Sequence, residues 1–360
     1  TVCIMPTTDA THTGKRKKLL GNLVKYAIPL IVSVSLCYLL FTGVDFGLIL
    51  SIIRDQCDFR WIALAMAISI VSFVCRAYRW RLQLRAIGVN PPMHALIYSI
   101  FGTYSVNLVF PRLGEVWRTG YIAQRQNAQF TSVFGSMVAD RLADTVTVFI
   151  LAIATFLMAS RAIMRFLHAN MESYRAIGAL LTSPWVWGTA LAIIAALWIF
   201  MTRHTSNPLA AKVQNIIREL WNGFAGIAHM KSKVQWLLWT LGIWGCFASQ
   251  MYICFMAFPF TREAIAVHGL PAVLVTFVIA SLSMGVPSNG GIGPWQWAVI
   301  FGLSIYGVGK VQAAAFANLV LGSQTLMLIV LGIVTFTAIA LDRKRLVTTA
   351  EQQRHTPKNQ

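Results

Sequence analysis

Residues 311–341 run for thirty-one positions without one charged side chain. About 20 such residues in a helix cross the roughly 30 Å hydrocarbon core of a bilayer. The stretch is not alone. Further apolar runs fall at about 23–44, 60–76, 93–110, 131–158, 184–201, 234–258, 270–287 and 294–308. The whole chain is 57% hydrophobic and 12% charged, where a soluble domain carries about 25% charged residues. In lipid, a backbone must satisfy its own hydrogen bonds, so runs of this length fold as helices. The sequence therefore specifies an all-α polytopic integral membrane protein.

Charge placement gives the topology. The formal net charge is +18, and the basic residues gather in "KRKK" at 15–18, "RAYRWRLQLR" at 76–85, the stretch Arg203 to Lys233, and "DRKRL" at 342–346. Lys and Arg beside membrane spans mark cytoplasmic loops, with attraction to anionic headgroups as a second effect. Nucleic acid is excluded as a partner, because no basic face with interleaved aromatics lies outside the apolar runs. The six cysteines show no metal or redox spacing, and most lie in apolar runs, where a thiol behaves as a small hydrophobe. The first run follows a basic stretch and lacks a small-residue cleavage site, so it reads as a signal anchor.

With "KRKK" inside, the first run crosses outward and 45–58 lies outside. The second returns, leaving 76–85 as a cytoplasmic loop. For 203–233 to be cytoplasmic as well, 93–127 has to be a re-entrant hairpin that turns at Pro111 to Glu115. The same argument makes 270–308 a hairpin from the opposite face, with its tip at "VPSNGGIGP", 286–294. Full spans in place of the hairpins are the alternative. The result is about six crossings plus two oppositely oriented re-entrant hairpins in an inverted repeat. "FPRLGEVW" at 110–117 and "VPSNGGIG" at 286–293 share Pro-x-x-Gly, and paired Gly/Pro interruptions mark transporter sites. The domain reading is a polar, basic tail over 1–20, a membrane domain over 21–345, and a polar tail over 346–360. Within the membrane domain, pseudo-repeats cover about 60–201 and 234–341. A 3.6-residue apolar period over 209–230 marks a cytoplasmic amphipathic helix.

Three of the twelve acidic residues, Glu115, Asp140 and Asp144, sit where membrane is expected. Ionisable groups there are costly and face a partner or a wet cavity. Asp140 and Asp144 share a helix face, with Arg141 placed to pair with Asp144 or to reach Glu115. An internal salt-bridge lock is one reading of these. Arg112 and Arg118, beside Gly114, read as holders of an anionic group, since a guanidinium grips phosphate with two parallel hydrogen bonds. A helix starting near Gly114 would add backbone donors. The second tip, with Pro287, Ser288, Asn289, Gly290, Gly291 and Gly293, is uncharged. Its glycines permit close backbone approach and its Ser288 and Asn289 offer neutral donors. Trp295 and Trp297 read as interfacial anchors or as lining of a lipid path. No HExxH, Walker A or Gly-x-Ser-x-Gly element occurs, and no cofactor, metal or catalytic residue is expected.

"PRLGE" with an arginine three residues later, the "ADRLAD" helix, and "PSNGGIG" together resemble the lysylphosphatidylglycerol synthase transmembrane region family. That family supplies the flippase-like domain of the multiple peptide resistance factor. The resemblance covers roughly 20–341 and implies an inner-membrane protein that handles phospholipid-like molecules. It singles out Pro111, Arg112, Gly114, Glu115, Arg118, Asp140, Arg141, Pro287, Gly290, Gly291 and Gly293. The C-terminal aminoacyl-transferase domain of the full factor is not expected here. The expected function is a flippase or transporter that binds an anionic lipid headgroup in a polar intramembrane cavity. Candidate lipids are an anionic phospholipid, a glycolipid or a polyprenyl-linked lipid. The alternatives are an intramembrane enzyme acting on a headgroup, or a scaffold for a separately encoded lipid synthase or glycosyltransferase. Both termini are placed in the cytoplasm, and the oligomeric state, homodimer or other, is left open.

Overall fold

A computed structural model describes residues 46–169, 184, 188, 189, 191, 192, 230, 232–286 and 288–355. The expected first span at 23–44, most of the run 184–201, nearly all of the amphipathic stretch 209–230, Pro287, and residues 1–20 and 356–360 lie outside the described residues. Among the described residues the chain forms ten helices and no strand. These are α1 (Phe46–Gln56), α2 (Phe59–Ala86), α3 (Met93–Val109), α4 (Leu113–Arg125), α5 (Phe130–Ala169), α6 (Lys233–Phe255), α7 (Pro259–His268), α8 (Leu270–Ser283), α9 (Pro294–Ser304) and α10 (Lys310–His355).

Four of them are long and apolar enough to cross a membrane: α2, α5 over Phe130–Ser160, α6, and α10 over Lys310–Asp342. They coincide with the expected spans at 60–76, 131–158, 234–258 and 311–341. Phe149, Ile150, Ile153 and Leu157 on α5, and Leu326, Ile333 and Val334 on α10, are exposed. Apolar patches of that extent need a cover, and a bilayer supplies one. The helices α7 and α8 are bent by 113° at Gly269, whose φ of +71° suits a residue without Cβ.

Local signals explain the boundaries. Asp58 caps α2, its carboxylate accepting from the Arg60 N–H at 3.1 Å. Past its C-terminus stand Gly88, at φ +79°, and two prolines. Pro259, Pro271 and Pro294 lie in the first turns of α7, α8 and α9, where a missing N–H costs nothing. Two apolar cores result. One joins the ends of α1, α2 and α6 to α7, α8, α9 and the first half of α10. The other joins the second half of α2 to α3, α4, the start of α5 and Leu328 of α10.

Helix α10 is the rod along which the two broken helix pairs lie. At its start, the His268 and Tyr306 rings stand 5.1 Å apart, bringing together the end of α7, just before α8, and the turn that follows α9. Near its far end, Asp342 lies 3.7 Å from both His94 and Arg125, bringing together the beginning of α3 and the end of α4. The breaks meet between these points: Arg112 donates to the Gly285 carbonyl at 2.7 Å. Nearby, Gln296 of α9 donates to Asn318 of α10, while Ser105 of α3 donates to the Leu328 carbonyl at 2.8 Å.

One sequence reading is corrected, and three stretches prove more helical than their composition suggests. Within 45–58, α1 forms and buries Ile49 and Ile52. The basic stretch 76–85, expected as a loop, is the last turns of α2, with Arg76 and Arg79 buried. Residues 259–268, between two apolar runs, fold as α7, and α10 continues to His355, into the stretch expected as a polar tail. In each case a short or charged segment had too little apolar periodicity to be seen as helix.

Candidate functional site

The first break positions the site. Helix α3 ends at Val109, and Arg112 adopts a left-handed conformation, φ +61°, that costs a non-glycine residue about 1–2 kcal/mol. The break is braced by Asn107, a residue sequence reasoning missed. Its amide oxygen accepts from the Gly114 N–H at 2.8 Å, and its amide nitrogen donates to Glu115 Oε2 at 3.1 Å. A Cβ on Gly114 would stand 2.1 Å from the Thr103 carbonyl oxygen, so only glycine lets α4 start this close to α3. The donors expected of this helix start are thus partly occupied: Asn107 takes the Gly114 N–H and the Phe110 carbonyl accepts from Leu113.

Helix α4 turns its other side chains in two directions. Glu115 and Arg118 face α5 and α2, where they join a cluster built from three helices. Asp140 of α5 accepts from Arg79 Nε at 2.9 Å and Nη2 at 2.6 Å, and from Arg118 Nη2 at 3.3 Å. Asp144 accepts from Arg79 Nη2 at 2.7 Å and from Arg76. Arg141 reaches both expected partners, Glu115 at 3.2 Å and Asp144 at 3.9 Å. Arg118 is fully buried, its guanidinium 4.3 Å from the centre of the Trp80 ring. Trp80 in turn donates to Ser136 of α5 at 3.1 Å.

Four guanidinium groups (Arg76, Arg79, Arg118, Arg141) therefore meet three carboxylates (Glu115, Asp140, Asp144), a formal excess of one positive charge. Arg76 and Arg79 were not among the sequence candidates. The signal that reveals them is spacing, for Ser69, Ser72, Arg76, Arg79 and Gln83 recur every three or four residues on α2 and so share one face. The pairs lock α2, α4 and α5 together, yet donors are left over. Arg76 Nε, Arg79 Nη1, Arg118 Nε and Nη1, and Arg141 Nε are buried without a hydrogen-bond partner among the described residues. Such orphaned donors are rare in folded proteins.

The remaining candidates lie apart from this cluster. Arg112 is exposed, and its guanidinium bridges the two breaks through Gly285, so Arg112 and Arg118 do not form one clamp. Ser288 and Asn289 are half-buried at the second break, with no hydrogen bond to the cluster among the described residues. Gly290, Gly291 and Gly293 have φ of +60°, +88° and +90°, and a Cβ on Gly290 would stand 2.7 Å from Leu108, so the second break seats directly on the end of α3. Trp295 packs on the first core, whereas Trp297 is exposed and stacked on Phe301.

The opposite face of α4 is apolar. Leu113, Val116 and Trp117, with Ser105, Val106, Val109, Phe110 and Phe336, line a groove of about 530 Å³. Trp117 forms its floor by lying against Gly102, where a Cβ would stand 2.3 Å from the indole. One short helix thus separates a buried charged cluster from an open apolar groove, the two chemistries of an amphiphile.

The fold and cluster define a multi-pass helical membrane protein with ionised groups inside its helix bundle. Residues 26–332 match the family described as the lysylphosphatidylglycerol synthase TM region, and the chain belongs to that family. It is 31% identical over 120 residues to "Glycosyltransferase AglD" of Haloferax volcanii, covering 33% of this chain and 19% of that protein. It is 23% identical over 220 residues to "UPF0104 membrane protein PH1989" of Pyrococcus horikoshii, covering 56% of this chain and 65% of the relative. The chain thus spans less than two thirds of either curated relative. No solved structure matches it.

Proposed function

We propose that this protein is a flippase-type lipid transporter that holds an anionic headgroup at the arginine–carboxylate cluster and moves it between leaflets. The observation that carries this reading is the cluster's excess guanidinium charge together with its orphaned donors. A buried charge without a counterion is strongly unfavourable, and a phosphate or other anion supplies both the missing charge and the missing acceptors. The acyl chains lie in the apolar groove on the other face of α4, so the lipid straddles the break at 110–112. The two broken helix pairs act as re-entrant hairpins entering from opposite faces, in an inverted repeat with six crossings. The positive-inside pattern puts both termini in the cytoplasm of an inner-membrane protein. Family membership supports a lipid as cargo.

A second reading draws on the relative named as a glycosyltransferase. Here the chain serves a separately encoded glycosyltransferase or lipid synthase, and its cargo is a glycolipid or polyprenyl-linked lipid. Both readings use the same headgroup site.

The test is lipid capture and transport. Protein purified in mild detergent is compared with an Arg118→Lys variant, which keeps the charge but not the planar fork. Co-purifying lipids are identified by mass spectrometry, and fluorescent phosphatidylglycerol and phosphatidylcholine are followed across reconstituted vesicles. Anionic lipid should be enriched and translocated by the wild type, both at least several-fold weaker in the variant. Equal retention and transport of phosphatidylcholine by the wild type would refute the anionic site.

A further inference from the structure

Gln83 continues the polar face of α2 one turn beyond Arg79. Ser69, Ser72, Arg76, Arg79 and Gln83 are all essentially buried, none more than 3% exposed. Four of the five are partnered. Ser69 and Gln324 of α10 exchange hydrogen bonds at 3.1 and 3.4 Å, Ser72 donates to the Ser69 carbonyl at 2.7 Å, and Arg76 and Arg79 hold Asp144 and Asp140. Gln83 is the exception: neither its amide nitrogen nor its amide oxygen has a partner among the described residues. A primary amide with both functions unmet inside a packed bundle is a departure from how folded chains treat polar groups. A second unmet donor lies close by. The Trp236 ring of α6 sits 5.9 Å from the Arg79 guanidinium carbon, and its indole N–H is buried without a partner.

We infer that Gln83 reads the substituent beyond the headgroup's anionic centre, and that this substituent carries a hydroxyl, as in a glycerol, polyol or sugar. The assignment rests on the anionic-headgroup reading above. A hydroxyl both donates and accepts, so it meets the amide's oxygen and nitrogen, which a simple anion cannot do. Residues four apart on a helix stand about 5–6 Å from each other at Cβ. An anion on the Arg79 side of that gap therefore places its next few atoms beside Gln83 and the Trp236 N–H. A headgroup with an alkyl substituent would leave the amide unmet and bind less well.

Two lipids with identical chains and charge, phosphatidylglycerol and phosphatidylpropanol, differ at this position only by hydroxyls. Competition of each against a fluorescent phosphatidylglycerol on the purified full chain, with phosphatidylcholine as control, measures the preference. The wild type should favour phosphatidylglycerol by about 5–10-fold, the worth of one net hydrogen bond or slightly more. Gln83→Leu should bind both anionic lipids alike, still ahead of phosphatidylcholine. Its lipid-free form should melt no lower than the wild type, because an unmet amide gives way to an apolar group of similar shape. Equal binding of the two lipids by the wild type, or a preference that survives in Gln83→Leu, overturns the role of Gln83 and leaves the anionic site standing. A marked drop in melting temperature shows a structural partner and overturns it too. If neither anionic lipid outcompetes phosphatidylcholine, the headgroup site falls and this assignment with it.

Discussion

At Asp140, one carboxylate faces Arg79 at 2.6 Å, Arg118 at 3.3 Å and Arg76 at 3.7 Å, all of them buried. Asp140→Asn keeps the shape and removes the charge, leaving three guanidinium groups undercompensated inside the bundle. Breaking a buried pair from one side costs about 3–5 kcal/mol. Glu115 and Arg141 are 18% and 33% exposed, so water screens their pair, and Glu115→Gln should cost about 1 kcal/mol or less. Thermal unfolding in detergent should rank Asp140→Asn far below Glu115→Gln, and similar melting of the two would show that the cluster does not hold the helices together. The carboxylates were legible in the sequence because acids are so scarce in it. Their main partners were not. A run of arginines after an apolar stretch looks like a loop by charge density, and only the period of the buried face of α2 shows otherwise. Asn107 gave no signal at all, since one asparagine in an apolar run says nothing about which backbone it braces.

The helices α3 and α4 depend on how closely they approach at the break. On α4, two glycines six residues apart meet opposite surroundings: a Cβ at Gly114 would press to 2.1 Å from the Thr103 carbonyl, whereas a Cβ at Gly120 meets nothing within 4 Å. Gly114→Ala must part the two helices and is expected to lose about 1–3 kcal/mol. Gly120→Ala should gain about 0.5–1 kcal/mol from helix propensity alone. Opposite shifts in melting temperature are therefore expected from the same substitution on one helix, and shifts of the same sign would refute this packing. Both breaks were legible from Pro-x-x-Gly, because a proline breaks a helix interior and a glycine weakens one. The short helices α1 and α7 were not, for ten or eleven residues flanked by charges give too brief an apolar pattern. Nor could sequence show that Arg112 would spend its charge on the other break, a contact 173 residues away along the chain.

Across the whole molecule, α10 sets a direction. The open end of the α3–α4 pair lies at Asp342, and that of the α8–α9 pair lies beside Lys310. If α10 crosses the bilayer, those ends face opposite compartments, and the breaks, joined by Arg112 and Gly285, lie between them. The positive-inside rule would put the Asp342 end in the cytoplasm, since "RKR" follows it directly. Both ends of the α3–α4 pair then face the cytoplasm, whereas two full spans in series would also return there but would place residues 110–113 in the external water. Single cysteines in a cysteine-free background separate these cases through labelling with a membrane-impermeant maleimide on intact cells. His94→Cys and Arg125→Cys should label only after the membrane is opened, and Val267→Cys, at a position 69% exposed, should label from outside. Phe110→Cys decides the geometry: rapid external labelling means that the α3–α4 pair crosses fully and defeats the opposed-hairpin arrangement. Little labelling from outside, with modification by a lipid-soluble reagent, is the expected result, because the arrangement puts this break inside the bilayer, where a headgroup bound to the cluster would pass from one pair to the other.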